Sequence, residues 1–315
     1  MQRGISALKR SLLVGAALLA VTASGLASQE ASYTLDTGWA QLPDGIEEWG
    51  QTIGVEMDPE GFLWVFHRCF AGNCIGPRAD VPAMLKFDMS GHMIDGWGAG
   101  MFVWPHGSYL DPDGSIWATD AQGREGIGHQ VFKFSRDGEV LMTLGQAGVA
   151  GVGRDTFNGP TDVVVGEDGA IFVADGHGNN RMVKFSAEGE YLMEWGQAGT
   201  GPGEFNEPHT LALDSRGRLF VGDRVNQRIQ IFDQNGNYLD EWPNIMASGI
   251  TITADDLVLV ADYQLQNGIV IANADDFSEV DFIPEALGEG VTMDGEGNLY
   301  VGEVVFRHLK KFIRN

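Results

Sequence analysis

The sequence predicts an all-β fold, a six-bladed β-propeller over residues 28–315 with an N-terminal strand closing the last blade. Three observations carry this. Glycine is abundant, 44 of 315 residues, with aromatics at 10%. One phrase recurs six times, at steps of about 40–55 residues, the range of propeller blades. No helix-period stretch competes beyond the N-terminus.

The phrase is an acidic or glycine residue, a turn, a glycine, then a β-rich run ending in an acid or its equivalent. Its copies are Asp58–His67, Asp111–Asp120, Gly166–Asp175, Asp214–Asp223, Thr253–Asp262 and Asp294–Glu303. Each sits in a four-strand unit. In the third, strands are expected at 162–165, 171–174, 182–185 and 191–195, joined by glycine-containing hairpin turns. The chain ends just after a third strand of the sixth unit. Tyr33–Trp39 resembles the fourth-strand segment beginning at Tyr191, so it is expected to fill the gap and tie the ends together.

The N-terminus reads as an address. Arg3, Lys9 and Arg10 precede an apolar run over Leu12–Ala23, and Gly25 and Ala27 suit a cleavage site. Residues 1–27 therefore read as a secretory signal peptide, too short to span a membrane. A secreted or periplasmic protein is expected. There Cys69 and Cys74, the only two cysteines, could close a small loop as a disulfide. The formal charge is −24, which excludes nucleic acid or an anionic membrane as a partner of the average surface. Nothing points to an oligomer, and a monomer is expected.

Aligning the repeats exposes a ring. The first residue of each blade's first strand should line the central channel. In blade order it is Ile53, His106, Thr161, His209, Ser248 and Glu289. Metal-capable side chains occupy alternate blades, roughly 120° apart, and two histidines and a glutamate with an open position suit a catalytic zinc. The plainer alternative is two hydrogen-bonded channel histidines and a solvated carboxylate. A second position follows each phrase, in the loop from second to third strand at the same channel mouth. It holds Arg68, His177, Arg224 and Tyr263. Two arginines in so acidic a chain suggest capture of a substrate carboxylate. The alternative is pairing with an acid of their own blade, such as Asp223. Arg181 and Arg228 recur at equivalent third-strand starts and read as scaffold. His67, His92, His129 and His308 fall at strand ends or turns and read as structural or exposed.

Longer phrases carry a family resemblance. They are Val65-Phe-His-Arg68, Trp104-Pro-His-Gly-Ser-Tyr-Leu, His129-Gln-Val-Phe-Lys-Phe, Pro160-Thr-Asp-Val-Val-Val, Ala174-Asp-Gly-His-Gly-Asn-Asn-Arg, Phe205-Asn-Glu-Pro-His-Thr-Leu and Gly222-Asp-Arg-Val-Asn-Gln-Arg. From about residue 54 to 312 the chain resembles the peptidyl-α-hydroxyglycine α-amidating lyases, which are NHL-repeat six-bladed propellers. The resemblance implies a zinc lyase that splits peptidyl-α-hydroxyglycine into a peptide amide and glyoxylate. His106 and His209 match two of the family's three zinc histidines, and Arg68 and Arg224 match its two active-site arginines. The carbonyls of Val55 and Ser108 match positions that hold a structural calcium.

The chain departs from the family at definite places. The third zinc histidine is Glu289, and the catalytic tyrosine aligns with His177, with Tyr263 a substitute base. The calcium-binding aspartate aligns with Gly290. The family's cysteines near the His177 loop are replaced by Asn158 and Gly178. The expected function is a secreted metal-dependent carbon–nitrogen lyase taking a small-molecule or peptide substrate with a carboxylate. The alternative is a non-catalytic NHL propeller that binds a protein or glycan. A lactonase-type propeller, usually centred on calcium with acidic and Asn ligands, is a third reading.

Overall fold

A computed structural model of the chain describes residues 32–315; the expected signal peptide lies outside the described residues. Twenty-four strands form six four-stranded antiparallel sheets. Blade one is β2 (Thr52–Met57), β3 (Leu63–His67), β4 (Met84–Phe87) and β5 (Met93–Trp97). Blade two is β6 (Pro105–Leu110), β7 (Ile116–Arg124), β8 (Ile127–Phe134) and β9 (Val140–Leu144). Blade three is β10 (Pro160–Val165), β11 (Ile171–Asp175), β12 (Arg181–Phe185) and β13 (Tyr191–Trp195). Blade four is β14 (Pro208–Leu213), β15 (Leu219–Asp223), β16 (Arg228–Phe232) and β17 (Tyr238–Pro243). Blade five is β18 (Gly249–Ile252), β19 (Leu257–Asp262), β20 (Gly268–Asn273) and β21 (Glu279–Pro284). Blade six is β22 (Gly288–Met293), β23 (Leu299–Glu303), β24 (His308–Arg314) and β1 (Tyr33–Asp36). The closure is as the sequence predicts: Tyr33 pairs with Arg314 and Asp36 with Lys311, so the N-terminal strand supplies the sixth blade's outer edge. Among the described residues no helix is long and apolar enough to cross a membrane.

The recurring phrase explains why each blade forms. Its opening acid accepts backbone N–H groups across the turn, as Asp58 does from Glu60 and Phe62. The other carboxylate oxygen takes the polar tip of an aromatic six residues on. Trp64 and Trp117 donate from Nε1 and Tyr300 from its hydroxyl. The aromatic rings are thereby buried without an unpaired donor. The turn glycine is left-handed, with φ +85 at Gly61 and +80 at Gly169. Asp256 takes this place in blade five at φ 59, a conformation aspartate tolerates better than most residues, which is why that copy of the phrase looks weaker. The second strands β3, β11, β15 and β23 are buried along their whole length, and β7 is buried from Ile116 to Ala121.

The acid that ends the phrase is a latch. Asp120, Asp175, Asp223, Asp262 and Glu303 are fully buried. Each accepts backbone N–H bonds from the segment leading into its own blade's first strand: Val103 and Trp104, Asn158, Asn206, Met246 and Leu287. Arg181 and Arg228 donate from Nε to Asp175 and Asp223 and so neutralise two of these acids. In blade one the latch position is His67. Its Nδ1 accepts the Phe70 N–H at 3.1 Å, so its Nε2 carries the proton and donates to the Pro82 carbonyl at 2.9 Å. That fixes the start of the loop in which Cys69 and Cys74 form a disulfide.

The first strands carry a matching irregularity. Their ladders with the second strands slip between Thr52 and Gly54, Pro105 and Ser108, Pro160 and Asp162, Pro208 and Thr210, and Gly288 and Gly290. The residue released by the slip is Ile53, His106, Thr161, His209 or Glu289. A bulge re-aims a side chain by leaving its residue outside the ladder. The ring residues line the central channel for this reason.

Burial holds His67 neutral, lowering its pKa from the ordinary 6.5 to about 4, with the Pro82 carbonyl opposing only in part. Because the folded value is depressed, its contribution is complete above pH 6.5 and is lost as pH falls toward 4. Unfolding at pH 7 and pH 5 should show His67→Gln losing about 2 kcal/mol less over that interval than wild type. Equal losses in the two proteins would show that His67 does not drive the acid sensitivity.

Candidate metal centre and carboxylate site

The ring and the loops meet at one mouth of the channel. A cleft of about 360 Å³ there is lined by Gln51, Arg68, Gly72, Trp104, His106, His177, His209, Arg224, Tyr263, Glu289 and Val304. All seven side chains that the sequence places at the site line this cleft. The other four histidines lie outside it. Val55 and Ser108 sit deeper, in the channel wall, where the Ser108 hydroxyl donates to Glu56 at 3.0 Å.

Three histidines turn their nitrogens toward one point. One ring nitrogen of each of His106, His177 and His209 lies within 4.8 Å of the other two. The outer nitrogens fix the tautomers. His106 Nδ1 donates to the Thr161 carbonyl at 2.7 Å and His209 Nδ1 to the Ser248 carbonyl at 2.9 Å. His177 Nδ1 lies 2.7 Å from Glu207 Oε1. Carbonyls and carboxylates only accept, so each Nδ1 carries its hydrogen and each Nε2 is the ring nitrogen turned inward. This is the arrangement that metal-ligating histidines adopt, with an outer acceptor holding each ring. Burial is the first cause holding His106 and His209 well below the usual histidine pKa. His177 and Arg68 add to it at His106, and Arg224 and His106 at His209.

Two features ask for a cation between these groups. His106 Nε2 and His177 Nε2 are 2.8 Å apart, and two lone pairs at that distance repel unless a cation or a proton lies between them. His209 Nε2 and Glu289 Oε2 are buried, face each other at 3.6 Å, and neither has a hydrogen-bond partner. Buried acceptors without donors are rare, and an ion between them is one arrangement that satisfies both.

The triad differs from the ring that the repeat alignment suggests. The alignment places Glu289 with the two ring histidines, whereas the geometry groups His177 with them. Glu289 lies at the edge, between His209 and Arg224, whose Nη1 is 3.7 Å from Glu289 Oε1. Burial raises the Glu289 pKa, and Arg224 and Arg68 oppose that rise.

The two arginines are not equivalent. Arg68 stacks on Trp104, its guanidinium 3.5 Å from the ring centroid. It donates to the Pro105 carbonyl and the Gln51 amide oxygen. Among the described residues no carboxylate stands within ion-pair distance of it, and burial lowers its pKa. Arg224 is already engaged. It donates to Glu207 at 2.6 Å and to the Tyr263 hydroxyl at 3.3 Å. Burial works against its charge, but Glu289 and Glu207 outweigh that and raise its pKa. Neither pairs with the Asp of its own blade, since Asp223 is held by Arg228.

A reading of the ring alone misses Gln51 and Trp104, which line the cleft, and Glu207, which stands behind it against His177 and Arg224. Each stands two residues before a ring residue, Ile53, His106 or His209. The same alignment, read two positions back, contains them.

The NHL repeat model matches residues 157–185 and 205–232. The chain is 31% identical over 305 residues to human NHL repeat-containing protein 3, covering 89% of this chain and 84% of that protein. It is 39% identical over 226 residues to a probable peptidyl-α-hydroxyglycine α-amidating lyase of Caenorhabditis elegans, covering 66% and 62%. It spans 33% or less of the length of three further amidating relatives. Among solved structures it superposes on a gluconolactonase from Xanthomonas campestris with TM-score 0.62, covering 86% of this chain and 88% of that one, at 13% identity, a likeness of fold alone. The chain belongs to the NHL-repeat β-propellers related to the peptidyl-α-hydroxyglycine α-amidating lyases.

Proposed function

We propose that this protein is a metal-dependent carbon–nitrogen lyase that cleaves a peptidyl-α-hydroxyglycine-like substrate to an amide and glyoxylate. The observation that carries the reading is the convergence of three imidazole nitrogens beside an arginine with no carboxylate of its own. The lyase relatives support the same reaction class. The segment over residues 1–27 and the Cys69–Cys74 disulfide support action outside the cytoplasm.

The donor set fits zinc. Three neutral imidazoles with an open position are a catalytic zinc arrangement, and the orphaned His209 Nε2 is a ligand atom without a partner. His106, His177 and His209 would hold the ion, with Glu289 at its edge. Bound there, zinc supplies Lewis acidity that lowers the pKa of a coordinated hydroxyl. Calcium fits less well. The aspartate expected at position 290 is glycine, and a Cβ there would collide with the Ile53 carbonyl oxygen.

The chain's own residues account for the rest. Arg68 binds the substrate carboxylate with its planar fork, and Trp104 holds that fork in place. Cleavage removes the proton of the α-hydroxyl, breaks the Cα–N bond as the carbonyl of glyoxylate forms, and returns a proton to the departing amide nitrogen. No electrons leave the system. His177, with its inner nitrogen turned to His106, belongs to the ligand set. Glu289 Oε2 is the free buried acceptor for the hydroxyl proton. Tyr263 is raised by burial and then by Glu289, so its phenol stays protonated and serves as the donor to nitrogen.

After zinc loading and dialysis, wild type should retain about one zinc per chain, as in a single closed site. His106→Ala, His177→Ala and His209→Ala should each lose it, and Glu289→Gln should keep it. Zinc retained in His177→Ala but lost in Glu289→Gln would restore the alternate-blade ring as the ligand set. Glyoxylate release from an N-acyl-α-hydroxyglycine should be abolished by a chelator and restored by zinc. Arg68→Ala should raise KM about 100-fold, the loss of one charged, bidentate contact. Zinc-loaded protein that releases no glyoxylate would sink the lyase reading.

A further inference from the structure

We infer that Glu207 is a positioning residue that joins the metal centre to the carboxylate site. A single oxygen, Oε1, accepts from His177 Nδ1 at 2.7 Å and from Arg224 Nη2 at 2.6 Å. One atom therefore fixes both a proposed metal ligand and one of the two cleft arginines. This inference rests on the proposed metal site and concerns residues outside the sequence-derived site.

The backbone supports the assignment. Glu207 has φ +67, a left-handed conformation uncommon for glutamate. Side chain and main chain are held from three directions. The Glu207 N–H donates to Asn180 Oδ1 at 2.9 Å, its carbonyl accepts the Arg224 N–H at 3.2 Å, and Pro208 and ligand His209 follow directly. Unusual backbone persists where its surroundings determine it, and it gathers at functional sites. One carboxylate oxygen that takes both an imidazole N–H and a guanidinium N–H at under 2.8 Å is in the geometry of a charge-assisted acceptor.

Two consequences oppose each other. The anion orients His177 and makes its inner nitrogen a better donor, as outer-sphere carboxylates do. It also occupies Arg224, and with Glu289 on its other side that arginine has little charge to offer a substrate. Glu207 thus strengthens metal binding while restraining carboxylate binding at Arg224, leaving Arg68 as the open anchor. A residue that merely propped up the fold would weaken both.

The test is zinc titration of metal-free wild type, Glu207→Gln and Glu207→Asp, with metal-free melting in parallel. Glyoxylate inhibition is measured in the zinc-loaded proteins. Glu207→Gln should bind zinc about 10–100-fold more weakly, the usual cost of removing an outer-sphere partner. Its metal-free melting should be unchanged and its affinity for glyoxylate equal or higher. Glu207→Asp, which keeps the charge but shortens the reach, should recover part of the zinc affinity. Zinc affinity within twofold of wild type in Glu207→Gln overturns the inference and leaves the lyase reading standing. Parallel losses of zinc affinity, glyoxylate affinity and metal-free stability overturn it in favour of a structural role. Wild type that binds no zinc overturns both this inference and the proposed metal site.

Discussion

A buried carboxylate at the end of the second strand in five of the six blades sets the geometry on which the site depends. It reaches back to the backbone N–H groups just ahead of the first strand and so decides where that strand starts. Such hydrogen bonds to a charged acceptor contribute roughly 1.5–3 kcal/mol each. The acid must still be kept charged, and the blades solve this differently. Asp175 and Asp223 have Arg181 and Arg228 against them. Glu303 has Lys310. In blade two the ladder partner of Asp120 is Gln130, which carries no charge, and burial raises the Asp120 pKa to about 7 against its backbone hydrogen bonds. Arg68 is the cation whose field reaches it. The arginine left open in the cleft is thus also the cation whose field reaches a latch acid with an uncharged ladder partner.

The latch also explains why the site sits where it does. With the incoming segment pinned, the next one or two residues leave the ladder and face the channel. In five blades the bulge therefore delivers one side chain to a common ring, which Ser248 completes from just ahead of β18. The ring's own carbonyls do the orienting. Thr161 of blade three holds His106 of blade two, and Ser248 of blade five holds His209 of blade four. Each of the two ring histidines is thus held by the backbone of the next residue of the ring.

The fold was legible because the blades repeat the same local rules: a tight turn with a left-handed residue, glycine in five of six, and a buried large apolar side chain six residues after the phrase opens, aromatic in five. Six copies, and the closing strand at Tyr33, follow from counting them. The ring was legible for the same reason, as one column of an alignment. The triad was not. His177 comes from the loop of blade three, and its approach to His106 across 71 residues depends on loop conformation that no period records. The inequality of Arg68 and Arg224 was equally hidden. Both read as mouth arginines, and only the placement of Glu207, Glu289 and Tyr263 shows that one is occupied. The sequence did hold a usable signal for Glu207 and Trp104, two residues before the ring. Reading it required knowing that the segment ahead of the strand is pinned against the cleft.

The exchange of residues at the mouth conserves chemistry by moving it. The resemblance assigns a histidine to ring position 289 and a tyrosine to loop position 177. Here the ring position is acidic and the loop position is histidine, so the count of three imidazoles survives while their origin shifts. A carboxylate at 289 would disfavour a neutral site on its own. It stands instead between the lone pair of His209 and the guanidinium of Arg224, where a bound cation on one side and arginine on the other would balance it. With Glu207 taking the remaining face of Arg224, the cleft's acids are distributed so that each answers a cation. In a chain of net charge −24, that leaves Arg68, buried on an aromatic face, as the position at which an incoming carboxylate gains most.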